Sequence, residues 1–180
     1  MIPANFFLTK GVGIAREELS SYELALRDAG IAQYNLVSVS SILPPGCKKI
    51  SRAKGITILK PGEVVFCVMA RNETNEPNRL IAAAVGCAVP KGNKKYGYLS
   101  EHHSFGQTEP KAGDYAEDLA ASMLASTLGL KFNPEDAWDT RKQAYKLSGK
   151  IVYTSNITQT ARGNKDGLWT SAVAAVIFIP

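Results

Sequence analysis

Cysteine is scarce in this chain and histidine scarcer: Cys47, Cys67, Cys87, His102 and His103 are all there is. An odd cysteine count without CxxC spacing argues against a disulfide framework and against a zinc site. Cys67 and Cys87 lie in apolar runs and read as buried thiols. Glu101 and His103 share one strand face, but with both histidines in one segment and no cysteine cluster to join them, no metal site is expected. A Ser–His–acid hydrolase would need the same histidines, and no serine sits in a GxSxG-type elbow. No apolar run approaches bilayer-spanning length. The start, MIPANFFLTKGVG, lacks the charged and apolar regions of a secretory signal, so a cytoplasmic protein without membrane attachment is expected. The glycines of KGVGIA come without GK[ST] and without a convincing strand before them, which argues against a phosphate loop.

What is present fits one domain spanning residues 1–180, with 45% hydrophobic residues and ordinary globular composition. The net charge of +5 comes with basic clusters at Lys48, Lys49, Arg52 and Lys54 and at Lys91, Lys94 and Lys95. These flank turn signals and carry few aromatics, so they read as solvated loops and not as a nucleic-acid surface. Trp138 and Trp169 read as core or interface residues. The glycosylation sequons at Asn72 and Asn156 mean little without secretion.

Periodicity predicts a helix over 17–29, with Leu19, Tyr22, Leu26 and Ala29 on one stripe and Gly30 closing it. A strand is predicted over 35–42, ended by Pro44, Pro45 and Gly46, with Asn35 and Ser41 on one face. GEVVFCVMAR (62–71) reads as a strand buried on both faces, followed by a polar loop, RNETNEPNR. Further strands are predicted over 80–89 and 96–105, and a strong helix over 113–128. The tail reads as strands near 151–161 and 168–179 joined as a hairpin through RGNKDG. The fold class is mixed α+β, mostly antiparallel, with at least two helices.

The chemistry concentrates in NLVSVSSILPPG, residues 35–46. Paired serines at a strand end are ordinarily turn formers, because the hydroxyl bonds local backbone. Here a rigid Pro-Pro corner follows, and a carboxamide, Asn35, lies on the same predicted face as Ser41. A serine hydroxyl held against the preceding carbonyl can attack it, through a tetrahedral oxyanion that needs a hydrogen-bond donor. β-Elimination of the ester cuts the chain and leaves dehydroalanine, and loss of ammonia leaves a pyruvoyl group.

ALRDAGIAQYNLVSVSSILPPG followed by GYLSEHH resembles the pyruvoyl-dependent arginine decarboxylase family over most of the chain. The resemblance implies a four-layer αββα sandwich, and self-cleavage between Ser40 and Ser41 into a β chain, 1–40, and an α chain, 41–180. It implies a pyruvoyl cofactor made from Ser41, with neither metal nor pyridoxal phosphate. It implies that Asn35 helps processing and catalysis and that Glu101 donates the proton to the α carbon after carbon dioxide leaves. The reaction so implied is a carbon–carbon lyase reaction, L-arginine to agmatine, a polyamine precursor, by way of a Schiff base to the pyruvoyl ketone. Homotrimers are implied, with pairing into hexamers left open, and active sites between protomers.

Glu23 stands where the family carries an aspartate thought to contact the substrate guanidinium. Ser20 and Glu23 also fit a capping box, and both readings stand at this point. Two alternatives to the main reading also stand: a pyruvoyl decarboxylase for another amino acid, and an uncleaved, non-catalytic paralogue serving as an oligomer partner.

Overall fold

KGVGIA, expected to follow no strand, lies inside one: β1 (Asn5–Ala15). Its glycines seat a helix. A Cβ on Gly11 would overlap the backbone of Ala25 and Ala29, and one on Gly13 would overlap the backbone of Ser21, Leu24 and Ala25. Helix α1 (Glu18–Asp28) can therefore lie directly against β1, with Ala25 and Ala29 fully buried between them. The Gly13→Val protein is expected to lose at least about 3 kcal/mol, because the obstruction is backbone and cannot rotate away. Its thermal midpoint should fall by roughly 6–12 °C in a calorimetric scan.

The computed structural model describes residues 2–92, 94–131, 133 and 135–180. After α1 come β2 (Asn35–Ser38), β3 (Ile42–Leu43), β4 (Lys48–Lys49), α2 (Arg52–Ile58), β5 (Val64–Thr74), β6 (Leu80–Pro90) and β7 (Gly97–Phe105). Then follow α3 (Glu109–Thr127), α4 (Trp138–Leu147), β8 (Ile151–Arg162) and β9 (Trp169–Ile179). The first sheet runs β2-β5-β9-β1-β4 and the second β3-β7-β6-β8. Apart from the parallel pairs β1–β4 and β2–β5, the pairing is antiparallel, as expected for the mixed α+β class.

Alternation in the strands divides the apolar residues among separate cores. Phe6, Val68, Ala174 and Val176 of the first sheet pack with Leu43, Ile81, Val85 and Leu99 of the second. The opposite face of the first sheet, with Phe7, Val65, Val173 and Ile177, packs on Ala25 and Ala29 at α1 and Ile56 of α2. The opposite face of the second, with Ala82, Ala84 and Ala88, meets Ala112, Ala116, Ala120 and Leu124 of α3 and Tyr145 of α4. No helix among the described residues is long and apolar enough to cross a membrane.

Several expectations are corrected. The strand expected over 35–42 is two strands in different sheets, broken between Ser38 and Ile42. RNETNEPNR is not all loop: β5 continues to Thr74, with Asn72 and Thr74 buried and their neighbours less so. β8 and β9 are not a hairpin, since β8 borders the second sheet and β9 sits inside the first; RGNKDG carries the chain across. The first basic cluster is not loop. Lys48 and Lys49 form β4, and Arg52 opens α2. Arg52 also caps α1, its Nε donating to the Ala29 carbonyl at 3.1 Å and Nη2 to the Asp28 carbonyl at 3.0 Å. The expected capping box is absent: α1 starts at Glu18, which makes Ser20 its third residue, and its N-cap, Glu17, makes no side-chain cap bond.

Candidate active site

The break between β2 and β3 is where the chain leaves one sheet for the other, at the edge of each. The last bond to the first sheet is Val39 N–H to the Cys67 carbonyl, 3.0 Å. The first bond to the second sheet is Leu99 N–H to the Ser41 carbonyl, 2.8 Å. Between them lies the Ser40–Ser41 peptide bond. Its carbonyl oxygen, on Ser40, accepts from Ile42 N–H at 2.8 Å, which closes a three-residue turn centred on Ser41. Asn78 is the one non-glycine residue with positive φ among the described residues, so the turn is the relaxed, inverse form. Ser40 is exposed and Ser41 half-buried. Beside them is a cavity of about 310 Å³ lined by Pro3, Val39, Ser40, Ile42, Pro44, Phe66 and Phe178.

Glu101 lies two residues beyond Leu99 on β7, so it shares the face of β7 that packs toward the first sheet. It is exposed, at the open end of that face. Its charge reaches the Cys67 thiol: burial pushes that thiol up to about 11, the Ser38 hydroxyl pulls it down, and Glu101 adds to the rise. Ser38 and Cys67 face each other across β2 and β5, on the first-sheet side of the crossing. β3 covers β7 only at Gly97 and Tyr98, with Ser41 adding one bond at Leu99. The edge of β7 that carries Glu101 and His103 has no strand beside it among the described residues.

The other two expected residues stand apart. Asn35 opens β2, and because the strand ends at Ser38 it shares no strand face with Ser41. Its side-chain amide donates to the Gly62 carbonyl at 2.7 Å and its backbone N–H to the Glu63 carbonyl at 2.8 Å, which ties β2 to the start of β5. Glu23 sits on the outer face of α1, paired with Arg27 Nε at 2.6 Å. It lines a cleft with Arg27, Gly30, Ala32, Gln33 and Ile56.

Sequence reasoning missed the backbone donors Ile42 N–H and Leu99 N–H, which no residue type announces. It also missed Glu117, buried under α3, which accepts from Thr154 Oγ1 at 2.5 Å, Asn156 Nδ2 at 2.9 Å and Lys142 Nζ at 3.1 Å. Burial pushes its carboxyl up, but those three partners outweigh burial and hold it below the usual range. It locks α3 to β8 and α4, and is not part of the crossing.

The family model for pyruvoyl-dependent arginine decarboxylase matches residues 5–180. The chain is 61% identical to pyruvoyl-dependent arginine decarboxylase 2 of Methanosarcina acetivorans, over 99% of this chain and 98% of that protein. It is 60% identical to the protein of the same name from Methanosarcina mazei, with the same coverage. It is 54% identical to pyruvoyl-dependent arginine decarboxylase of Methanococcoides burtonii, over 99% of both chains. By class, then, the chain is a decarboxylase, a carbon–carbon lyase. It belongs to the pyruvoyl-dependent arginine decarboxylase family.

Proposed function

We propose that the chain cuts itself between Ser40 and Ser41, converts Ser41 to a pyruvoyl group, and decarboxylates L-arginine to agmatine. The observation that carries the reading is the Ser40–Ser41 bond at the sheet crossing, with hydrogen-bonded carbonyls on both sides. Residue 41 fits the group, since its carbonyl is held by Leu99 N–H and its neighbours Ser40 and Ile42 line a cavity where β2 and β3 border their sheets. When formed, the pyruvoyl group supplies a ketone for the substrate amine and a sink for the electrons released with carbon dioxide.

The chain's own residues do the rest. Glu101 is the general acid that delivers a proton to the substrate α carbon. Asn35 acts in processing and catalysis by fixing the start of β2, six residues ahead of Ser41 in the sequence. Glu23 binds the substrate guanidinium, and its pairing with the guanidinium of Arg27 supports that use. Glu23 comes from a neighbouring protomer in a homotrimer. Two open edges, β2 and the far half of β7, with exposed Val37, Ile42, Val64 and Phe105 beside them, support such an assembly. The protein works in the cytoplasm.

The test is an intact mass of fresh protein under denaturing, reducing conditions, followed by assay with arginine, lysine and ornithine. Two pieces, one ending at Ser40 and one starting with pyruvoyl at 41, together with agmatine from arginine, are expected. A persistent single chain would move the reading to an uncleaved partner. The Glu23→Gln protein should cleave normally but show KM for arginine raised roughly tenfold, the size of one charge-assisted hydrogen bond. Unchanged kinetics would remove Glu23 from recognition.

A further inference from the structure

Self-cleavage must stabilise negative charge twice, on two different oxygens. In the first step Ser41 Oγ bonds to the Ser40 carbonyl carbon and the carbon–nitrogen bond to Ser41 breaks. The hydroxyl proton ends on the freed amine, and charge builds transiently on the Ser40 oxygen. In the second step the Ser41 Cα proton is removed, the Cβ–Oγ bond breaks and Ser40 departs as a carboxylate. Charge from Cα spreads onto the Ser41 carbonyl oxygen while dehydroalanine forms. Water then replaces ammonia at Cα, so the sum is one water in and one ammonia out.

Each of those two oxygens already has one backbone donor, both at 2.8 Å: Ile42 N–H on Ser40 and Leu99 N–H on Ser41. We propose that Ile42 N–H is the oxyanion donor of the ester-forming step and Leu99 N–H the donor of the elimination, an assignment that rests on the self-cleavage reading above.

The ladder leaves Ile42 N–H free for this. β3 faces β7 at Ile42↔Tyr98 and Leu43↔Gly97, and the rung beyond is Leu99 N–H to Ser41. In an antiparallel pair such rungs alternate, so the Ile42 amide points away from β7. Asn35, the side-chain amide expected at this point, is engaged by Gly62. The backbone therefore provides what the side chain does not.

Full-length chains made by cell-free nonsense suppression, with an α-hydroxy acid at position 42, 99 or 39, each exchange one N–H for an ester oxygen. Position 39 is the control, because Val39 N–H fastens the same corner to Cys67 and touches neither reacting carbonyl. Cleavage is read by intact mass. Ester between Ser40 and Ser41 is read by hydroxylamine, whose product is distinguished by mass from a break at the introduced ester. At position 42 cleavage should slow on the order of 10²–10³-fold with no build-up of ester. At position 99 cleavage should slow while that ester accumulates, and at position 39 it should keep the all-amide rate.

An all-amide chain that stays whole would refute self-cleavage itself. Equal rates for the all-amide and position-42 chains would overturn the donor assignment alone. If the position-42 chain does not fold, hydrogen exchange in the Ser41→Ala protein decides. An Ile42 N–H protected from exchange supports the assignment, and one exchanging at the unstructured rate overturns it.

Discussion

Ser41→Ala protein is expected to remain one 180-residue chain and to release no carbon dioxide from arginine. Alanine has no oxygen to attack the Ser40 carbonyl and no β leaving group. A break at this bond by any other route would still leave no ketone. The loss should therefore be complete and not graded. The fold should not suffer. Position 41 is fixed by its backbone, through Leu99 N–H, and deleting one half-buried hydroxyl away from the cores should change stability by no more than about 0.5 kcal/mol. Intact mass, an agmatine assay and a thermal scan on one preparation separate these effects. A cut or active Ser41→Ala protein would remove the pyruvoyl assignment.

Glu101→Gln should give the opposite combination, a cleaved chain that turns over poorly. Glutamine keeps the size of the side chain but carries no transferable proton, and the two backbone donors at the crossing are untouched. Loss of a placed general acid costs about 10²–10⁴-fold in rate. The fall should appear in kcat with KM nearly constant, because the proton moves only after the carboxylate has left. Glutamine protein with wild-type kcat would show that another group supplies the proton.

The parts legible in the sequence are those where one face decides the structure. α1 announced itself through Tyr22, Leu26 and Ala29 of its expected stripe and through Gly30, which takes φ +73 just past the helix. Leu19 of that stripe is 74% exposed, however, and Ala25 is buried against the sheet instead. β5 and β6 announced themselves as apolar runs, β7 as a strand with Leu99, Glu101 and His103 on one face, and α3 through its alanines. α4 did not, because WDTRKQAYKL offers little but Trp138 and Tyr145 to the core and is otherwise polar. α2 is short and contains Gly55, a poor helix residue whose missing Cβ makes room for the Phe7 ring. RGNKDG was read as a hairpin because turn chemistry shows that a chain turns. It does not show which sheet the next strand joins.

The candidate site divides along the same line. The serine pair, Glu101, Asn35 and Glu23 were visible as residue types in a recognisable order. The hydrogen bonds on the Ser40 and Ser41 carbonyls were not, because any residue at 42 or 99 except proline would offer the same N–H. Which amide faces which carbonyl is set by strand register, and register between distant segments is a property of the folded sheets.

A cut at Ser40–Ser41 would turn the molecule into two intertwined polypeptides. Residues 1–40 contribute β1, which lies between β4 and β9 and pairs with β9 along its full length, as well as α1 and β2. Neither piece owns the core under α1, since Phe7, Ala25 and Ala29 come from one and Val65, Val173 and Ile177 from the other. Before the cut, folding brings these segments together within one chain, at the modest cost of closing loops. After it, the same contacts form only by collision of two molecules, so recovery from denaturant becomes second order and fails on dilution. The mature protein would then be durable through slow unfolding, while the uncut Ser41→Ala chain would refold at any concentration. The molecule would thus keep a memory of having been assembled whole.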